Sequence, residues 1–338
     1  MFTFKSLQEF NDFFKDEKAC YDFLSAQRWK DGISCPHCGS EKIYVVKTRS
    51  ANPELKDINS YRCGNRECDM PFTCKVGTIF EGCKIPLRKF FQAIYEITTS
   101  KKGISSVELA TRLSITQKSA WFVGHRVRAM LREIDPLLLD GVVEIDETYI
   151  GGKEKNKSKK ARAANKEAAR VDGKNRHVNA IDTKIPVIGI LERGGKVRAQ
   201  TITNTGFDIL APMLSENVSP NAVIVTDGWK PYKKIGANYK DHVVVNHAQD
   251  EWTRGEFSTN SIEGFFSILK RGIIGIYHYV SPKHLHRYCT EFTARYNERK
   301  STNIDRFVLA VNQSEGARLT YAELIKNLPG KEEFLFRM

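Results

Sequence analysis

The sequence contains no run of eighteen apolar residues, and its first thirty residues lack the charged, apolar, small-residue order of a secretory leader. This argues against a membrane-spanning helix and makes the cytoplasm the expected location. Internal repeats are absent. Cysteine is sparse outside one region, with six of the eight between Cys35 and Cys83. Crowded in this way and without a leader, they point to metal rather than disulfides. Acids are outnumbered, 40 Asp and Glu against 53 Lys and Arg, a net charge of +13. A surplus of that size attracts polyanions and makes nucleic acid the first partner to expect. The 338 residues, 41% hydrophobic, suffice for two or three domains with cores of their own.

The first thirty residues have apolar positions at helical spacing after Ser6, a plausible N-cap, and predict two short helices. Cys35 and Cys38 then form a CxxC knuckle, and Cys63 and Cys68 a second pair, CxxxxC, after twenty-four residues. Short strand-like runs, Ile43 to Val46 and Ser60 to Arg62, flank the pairs. This is zinc-ribbon spacing, in which two thiolate pairs on opposed turns close one tetrahedral Zn2+ site and stabilise a unit too small for a core. Cys74 competes with Cys68 for the fourth position. From Ile85 to Glu133 the pattern is helical. Ser105 with Glu108 predicts a capping box, and Ser114, Ile115 and Thr116 break the run before a basic second helix. Those are the parts of a helix-turn-helix, although a plain helical bundle shares the pattern. Its cations Lys118, Arg126 and Arg128 are candidate DNA contacts.

From Gly141 the order becomes strand, hairpin turning at Gly194 and Gly195, helix, strand, helix, a mixed α/β arrangement. Between the first strand and the hairpin, Lys153 to His177 has ten Lys or Arg and three acids, a net of +7. A solvated insertion is one reading; a clamp on the DNA backbone, using Lys159, Lys160 and Arg162, is the other.

Asp146 closes the apolar run "VVEID", Asp227 closes "AVIVTD", and Glu263 follows after thirty-five intervening residues in "TNSIEGFFSILKRG". On a helix, Ile262, Phe265, Phe266, Leu269 and Ile273 form the apolar side, while Asn260, Glu263, Ser267, Lys270 and Arg271 form the polar one. Alone, either Asp reads as a cap or turn former. Together the three acids supply what phosphodiester chemistry needs: hard carboxylate oxygens for two Mg2+ or Mn2+ that activate a water or 3′ hydroxyl and neutralise the phosphorane. Lys270, two turns after Glu263, and Arg271 are placed to meet DNA phosphates. Glu147 alternates to the opposite strand face and reads as structural. His247, between the second and third acids, is a supporting candidate whose commoner role is a hydrogen-bonded surface histidine.

The spacing Asp, Asp, thirty-five, Glu with a basic residue at plus seven resembles the DDE transposases and integrases. More closely, "VEIDETYIGG", "TDGW", "STNSIEGFFSILKRG" and "YHYVSPKHLHRYCTEFTARYNER", preceded by "CPHCG" and "GTIF", resemble the ISXO-type insertion-sequence transposases, from about Phe10 to Arg299. The resemblance implies a multidomain α+β protein. It would have N-terminal helices (1–30), a zinc ribbon (31–83), a helix-turn-helix-like segment (84–138), a ribonuclease H-like catalytic domain (139–300) with the basic insertion 153–177, and a C-terminal tail (301–338). It also implies Asp146, Asp227 and Glu263 as the metal triad, with Asn260 as the alternative third ligand. The implied activity is cleavage and joining of DNA at terminal inverted repeats, with element ends and target DNA as partners, a homo-oligomer on DNA, and a bacterial, nucleoid-associated location. The rival readings are a zinc-ribbon regulator with an inert α/β domain, and a nuclease that cuts without joining.

Overall fold

The computed structural model describes residues 4–47, 55, 58–134, 136–152, 158–160, 162–163, 184–246, 249 and 253–326. The chain divides into two compact units, Met1–Ile134 with Glu298–Lys326, and Asp135–Asn297. Together they make a multidomain α+β protein.

In the first unit, α1 (Leu7–Phe13) begins where the Ser6 side chain accepts the Glu9 N–H, and α2 (Glu17–Arg28) where Asp16 accepts that of Ala19. Strands β1 (Ile43–Lys47), β2 (Asn59–Cys63) and β3 (Pro71–Phe72) form an antiparallel ribbon in that order. Its few apolar groups, Tyr61 stacked on Phe72 with Trp29 edge-on to Tyr61, make a core too small to hold the ribbon unaided. Helix α3 (Leu87–Thr99) is followed by α4 (Ser106–Leu113) and α5 (Gln117–Met130), separated by the expected break of Ser114, Ile115 and Thr116. Ser114 takes up the left-handed conformation (φ 49°) that ends α4. Ser105 accepts the Glu108 N–H, while Glu108 itself pairs with Arg112. The segment expected as a tail instead completes this unit as far as Lys326. Phe307, on the helix Asn303–Asn312, is fully buried with its ring 5.2–5.5 Å from those of Phe10, Phe14 and Phe91. Residues 327–338 lie outside the described residues.

The second unit is built on a five-stranded sheet. Strands β4 (Val142–Ile150), β5 (Ile185–Glu192) and β6 (Val197–Thr201) form an antiparallel meander whose tight turn uses Gly194 at φ 77°. After α6 (Phe207–Asn217), β7 (Val223–Thr226) runs parallel to β4. Helix α7 (Lys230–Ile235) and β8 (Asp241–Val244) follow, giving the order β6-β5-β4-β7-β8. Alternation along the strands makes two cores. Val143, Ile145, Ile188, Ile190 and Ile224 pack with Leu210 and Leu214 of α6 and Tyr232 of α7. On the other face Val187, Leu191 and Val197 meet Ile262, Phe265, Phe266 and Leu269 of α8 (Asn260–Gly272) and Leu285 and Phe292 of α9 (Leu285–Asn297). The sheet is thus covered on both sides, which fits its apolar strands.

Candidate active site

Asp146 does not end its strand, as the sequence pattern implied; β4 runs four residues further, to Ile150. Its pairing with β5 is continuous there, while the pairing with β7 stops at Glu144. The parallel ladder to β7 pairs Val142 with Val223, Val143 with Ile224 and Glu144 with Val225, and β7 ends at Thr226. Two more steps of the same register bring Asp146 level with Asp227. Asp146 falls on the α8 face of the sheet, because Val143 and Ile145 on β4 occupy the opposite one; Asp227 follows directly after β7. Continued past its last pair, the register therefore leads from one distant acid to the other.

The third acid arrives on a helix laid across the same face. Asp146 pairs directly with Gly189 of β5, and a Cβ at Gly189 would stand 2.5 Å from Ile262 Cδ1 and 2.7 Å from Phe266 Cζ. The missing side chain is therefore what lets α8 settle beside Asp146, leaving Glu263 one residue beyond the contact. Glycine inside an apolar strand is the sequence signal for such a close approach.

One oxygen of each acid is fixed by a local donor. Asp146 Oδ1 accepts the Glu147 N–H at 2.7 Å, Asp227 Oδ1 the Trp229 N–H at 3.0 Å, and Glu263 Oε1 the Thr259 hydroxyl at 3.1 Å. Glu147 faces the other way, as alternation required, and accepts a 2.5 Å hydrogen bond from Tyr232 Oη. Burial pushes its carboxyl up to about 7; the Tyr232 bond draws it down, and the charges of Asp146 and Asp227 raise it further. Tyr232 is held well above its ordinary value by burial and then by Glu147. The two Asp residues thus concentrate negative potential at one point of the sheet, which a divalent cation would offset.

Among the described residues, Cys35, Cys38, Cys63 and Cys68 form the one group of three or more ligand-type side chains gathered tightly enough to hold a metal ion as they stand, with all sulfurs within 4.8 Å. Cys35 and Cys68 sulfurs are 3.8 Å apart, and those of Cys38 and Cys63 are 3.5 Å apart. A disulfide needs about 2.05 Å, whereas Zn–S bonds of about 2.3 Å in a tetrahedron put sulfurs about 3.8 Å apart. The geometry fits zinc. Cys74 is buried elsewhere, with its thiol directed at the Tyr21 carbonyl, and burial pushes its pKa up to about 11. Asp146, Asp227 and Glu263 do not form so tight a group. A pair of ions about 3.5–4 Å apart, each with oxygens at 2.0–2.1 Å, accepts ligands up to about 8 Å from one another, so neighbouring strands and a crossing helix suit it.

The basic residues divide. Lys118, Lys159, Lys160, Arg162, Lys270 and Arg271 are exposed, as is Asn260 at the start of α8. Arg126 and Arg128 are only 4% and 5% exposed. Arg126 lies against the rings of Phe90 and Phe122 and donates to the Glu81 carbonyl, and burial lowers its pKa. These two arginines of α5 are interior groups, not phosphate contacts. The helical pattern gave no sign of this, because both sit in a stretch, Val123 to Arg128, that is buried all round. His247 and most of the insertion lie outside the described residues.

Sequence reading also passed over Glu144 and Arg193. Glu144 is completely buried on the α8 face, two residues before Asp146, and accepts the Ser261 and Ile262 N–H groups at 2.9 and 3.1 Å. Arg193 reaches its other oxygen through Nε and Nη2, both at 3.1 Å. A charge inside the apolar run "VVEI" was the available signal.

Comparison with known proteins agrees with this architecture. Residues 138–297 match the model of the ISXO2-like transposase domain, and residues 15–69 match that of the transposase zinc-ribbon domain. The second unit is thus similar to the ISXO2-like transposase domain, and the cysteine ribbon to the transposase zinc ribbon. A relative from Halobacterium salinarum, described as an uncharacterized protein in transposable element ISH50, is 27% identical over 271 residues, which cover 76% of this chain and 83% of the relative. The transposase-domain match spans every strand of the five-stranded sheet, and the zinc-ribbon match takes in all four clustered cysteines. Among the described residues, no helix is long and apolar enough to cross a membrane.

Proposed function

We propose that the chain binds the terminal inverted repeats of an insertion sequence and carries out metal-dependent cleavage and joining of DNA strands. The observation that carries this reading is the parallel pairing of β4 with β7, whose register, continued two steps past Glu144–Val225, leads to Asp146 and Asp227, with the helix bearing Glu263 packed beside Asp146. The mixed sheet with helices on both faces supports a ribonuclease H-like catalytic domain. Asp146, Asp227 and Glu263 are the residues that would hold two Mg2+ or Mn2+, with Asn260 one turn before Glu263 as the alternative third ligand. When bound, such ions lower the pKa of an attacking water or 3′ hydroxyl and neutralise the developing phosphorane.

The chain's own groups do the positioning. The local donors on each acid aim the carboxylates, and the apolar side of α8 fixes the helix on the sheet. The exposed Lys270 and Arg271 meet the phosphates on either side of the scissile bond. In the first unit one structural Zn2+ on Cys35, Cys38, Cys63 and Cys68 stiffens the ribbon, and α4 and α5 act as a helix-turn-helix. The exposed start of that second helix, Gln117 and Lys118, is the end that reads base edges in this motif. Pairing of two element ends calls for at least two copies on DNA, and work of this kind belongs in the cytoplasm at the nucleoid.

The test is joining of precleaved element ends to target DNA with Mg2+ or Mn2+. Asp146→Asn and Asp227→Asn should each lose several kcal/mol of transition-state stabilisation, about a thousandfold in rate, while binding the ends as wild type does. A wild-type chain that binds ends without joining them would be a regulator, and one that cuts without joining a nuclease; either result removes the reading.

A further inference from the structure

Resting on that reading, we infer that the buried Glu144 and the half-buried Arg193 form a clasp that sets the position of Glu263 against Asp146. Divalent-ion affinity at the site is then governed by two residues that touch neither ion nor DNA.

The clasp has three parts. Glu144 Oε2 takes the first free N–H groups of α8, those of Ser261 and Ile262, which no side chain of the helix's own N-terminal flank satisfies. Glu144 Oε1 takes two bonds from the Arg193 guanidinium. Arg193 extends the hold to the segment leading into the helix, donating to the carbonyls of Glu256 at 2.9 Å and Ser258 at 3.2 Å. The end of β5 is therefore tied through β4 to both the approach and the first turn of α8.

The location gives the clasp its purpose. Glu144 is on the same strand and same face as Asp146, one pleat before it, and the helix it holds carries Asn260 and Glu263 in its first turn. A serine, threonine or aspartate at the N-cap would have satisfied the same N–H groups without reference to the sheet. Here Thr259 occupies the cap and turns its hydroxyl to Glu263 instead. The helix start is thus registered to the strand that bears the first acid. Burying the Glu144 charge completely costs desolvation that offsets part of the Coulomb gain from the partly exposed Arg193, so fixing geometry is the better account of the pair than adding stability.

The experiment uses the full chain and reads Mn2+ binding by the electron paramagnetic resonance signal of the free ion, beside the Mg2+ dependence of joining. Four proteins are compared: wild type, Glu144→Gln, Arg193→Lys and Val143→Ala. Gln keeps an acceptor for the α8 N–H groups but no charge for Arg193; Lys keeps the charge but not the fork. Val143 is fully buried in the core on the other face and serves as a control for loss of stability alone. Glu144→Gln should weaken Mn2+ binding and raise the half-maximal Mg2+ concentration by about tenfold, with binding of element ends unchanged and the loss recovered in part by excess Mn2+. Arg193→Lys should shift both in the same direction by less, and it decides the matter if Glu144→Gln does not fold. Val143→Ala should lower the unfolding temperature and leave both ion readouts in place. Ion affinities in the clasp variants no weaker than in Val143→Ala would overturn the inference while leaving the transposase reading intact. A wild-type chain that neither binds Mn2+ outside its zinc site nor joins ends would remove both.

Discussion

At the residue scale the same side chain takes different roles according to what surrounds it. Asp146 and Glu147 are consecutive acids, yet one lies on the α8 face and the other is sealed against Tyr232 on the opposite face. Strand alternation alone divides them, which is why this distinction was legible beforehand. Burial was not legible in the same way. Lys118 and Arg126 are both cations of α5, but the first is exposed and the second lies between aromatic rings. Lys118→Ala should reduce the slope of log affinity for DNA against log salt by about 1. Arg126→Ala should leave that slope alone and cost about 1–3 kcal/mol of stability by freeing the Glu81 carbonyl and emptying a packed site. Titration with salt and thermal unfolding separate the two. Cysteine offers a parallel contrast: Cys68→Ser should cost most of the bound zinc, whereas Cys74→Ser should retain about one ion per chain by metal analysis and lose only packing.

At the scale of elements, α8 is placed by an absence. Gly189 provides the space into which Ile262 and Phe266 fit, so its replacement works as overpacking rather than as a cavity. Gly189→Ala should destabilise the second unit by about 1–3 kcal/mol, a few degrees in unfolding temperature. It should slow joining by more than that loss of folded protein explains, because the helix bearing Glu263 must shift. Ile262→Ala in the same chain should restore part of the joining rate although it removes apolar contact. If the double variant is no faster than Gly189→Ala alone, the close approach is not what limits the site. The two helices α4 and α5 were readable at this scale because their capping residues and three-residue break are local features. The clasp of Glu144 and Arg193 was not, since its members are separated by 49 and then more than sixty residues in sequence.

Over the whole molecule, the net charge of +13 predicts binding that depends steeply on salt. If six to ten phosphates are neutralised, affinity for the element ends should fall by about 10³–10⁵ between 50 and 200 mM salt. Removing residues 153–177 takes away a net of +7. A fluorescence anisotropy series should then show a shallower slope if that insertion clamps the backbone, and an unchanged slope if it is only solvated. The division of the chain follows another logic. Residues 298–326 belong with the N-terminal half because Phe307 fills the middle of its aromatic core. The first unit therefore joins two stretches that are far apart in sequence.

The sequence by itself determined the metal-type cysteine pairs, the order of strands and helices, the basic surplus and the three acids, since each is written in local spacing, periodicity or composition. Only the tertiary structure decided that the strand bearing Asp146 pairs with the strand leading to Asp227, that Arg126 and Arg128 are interior, that Phe307 closes the first core and that Glu144 holds the start of α8. Those facts depend on which distant segments pack together. Packing is set by the sum of many contacts over the whole chain, and no short stretch of residues contains it.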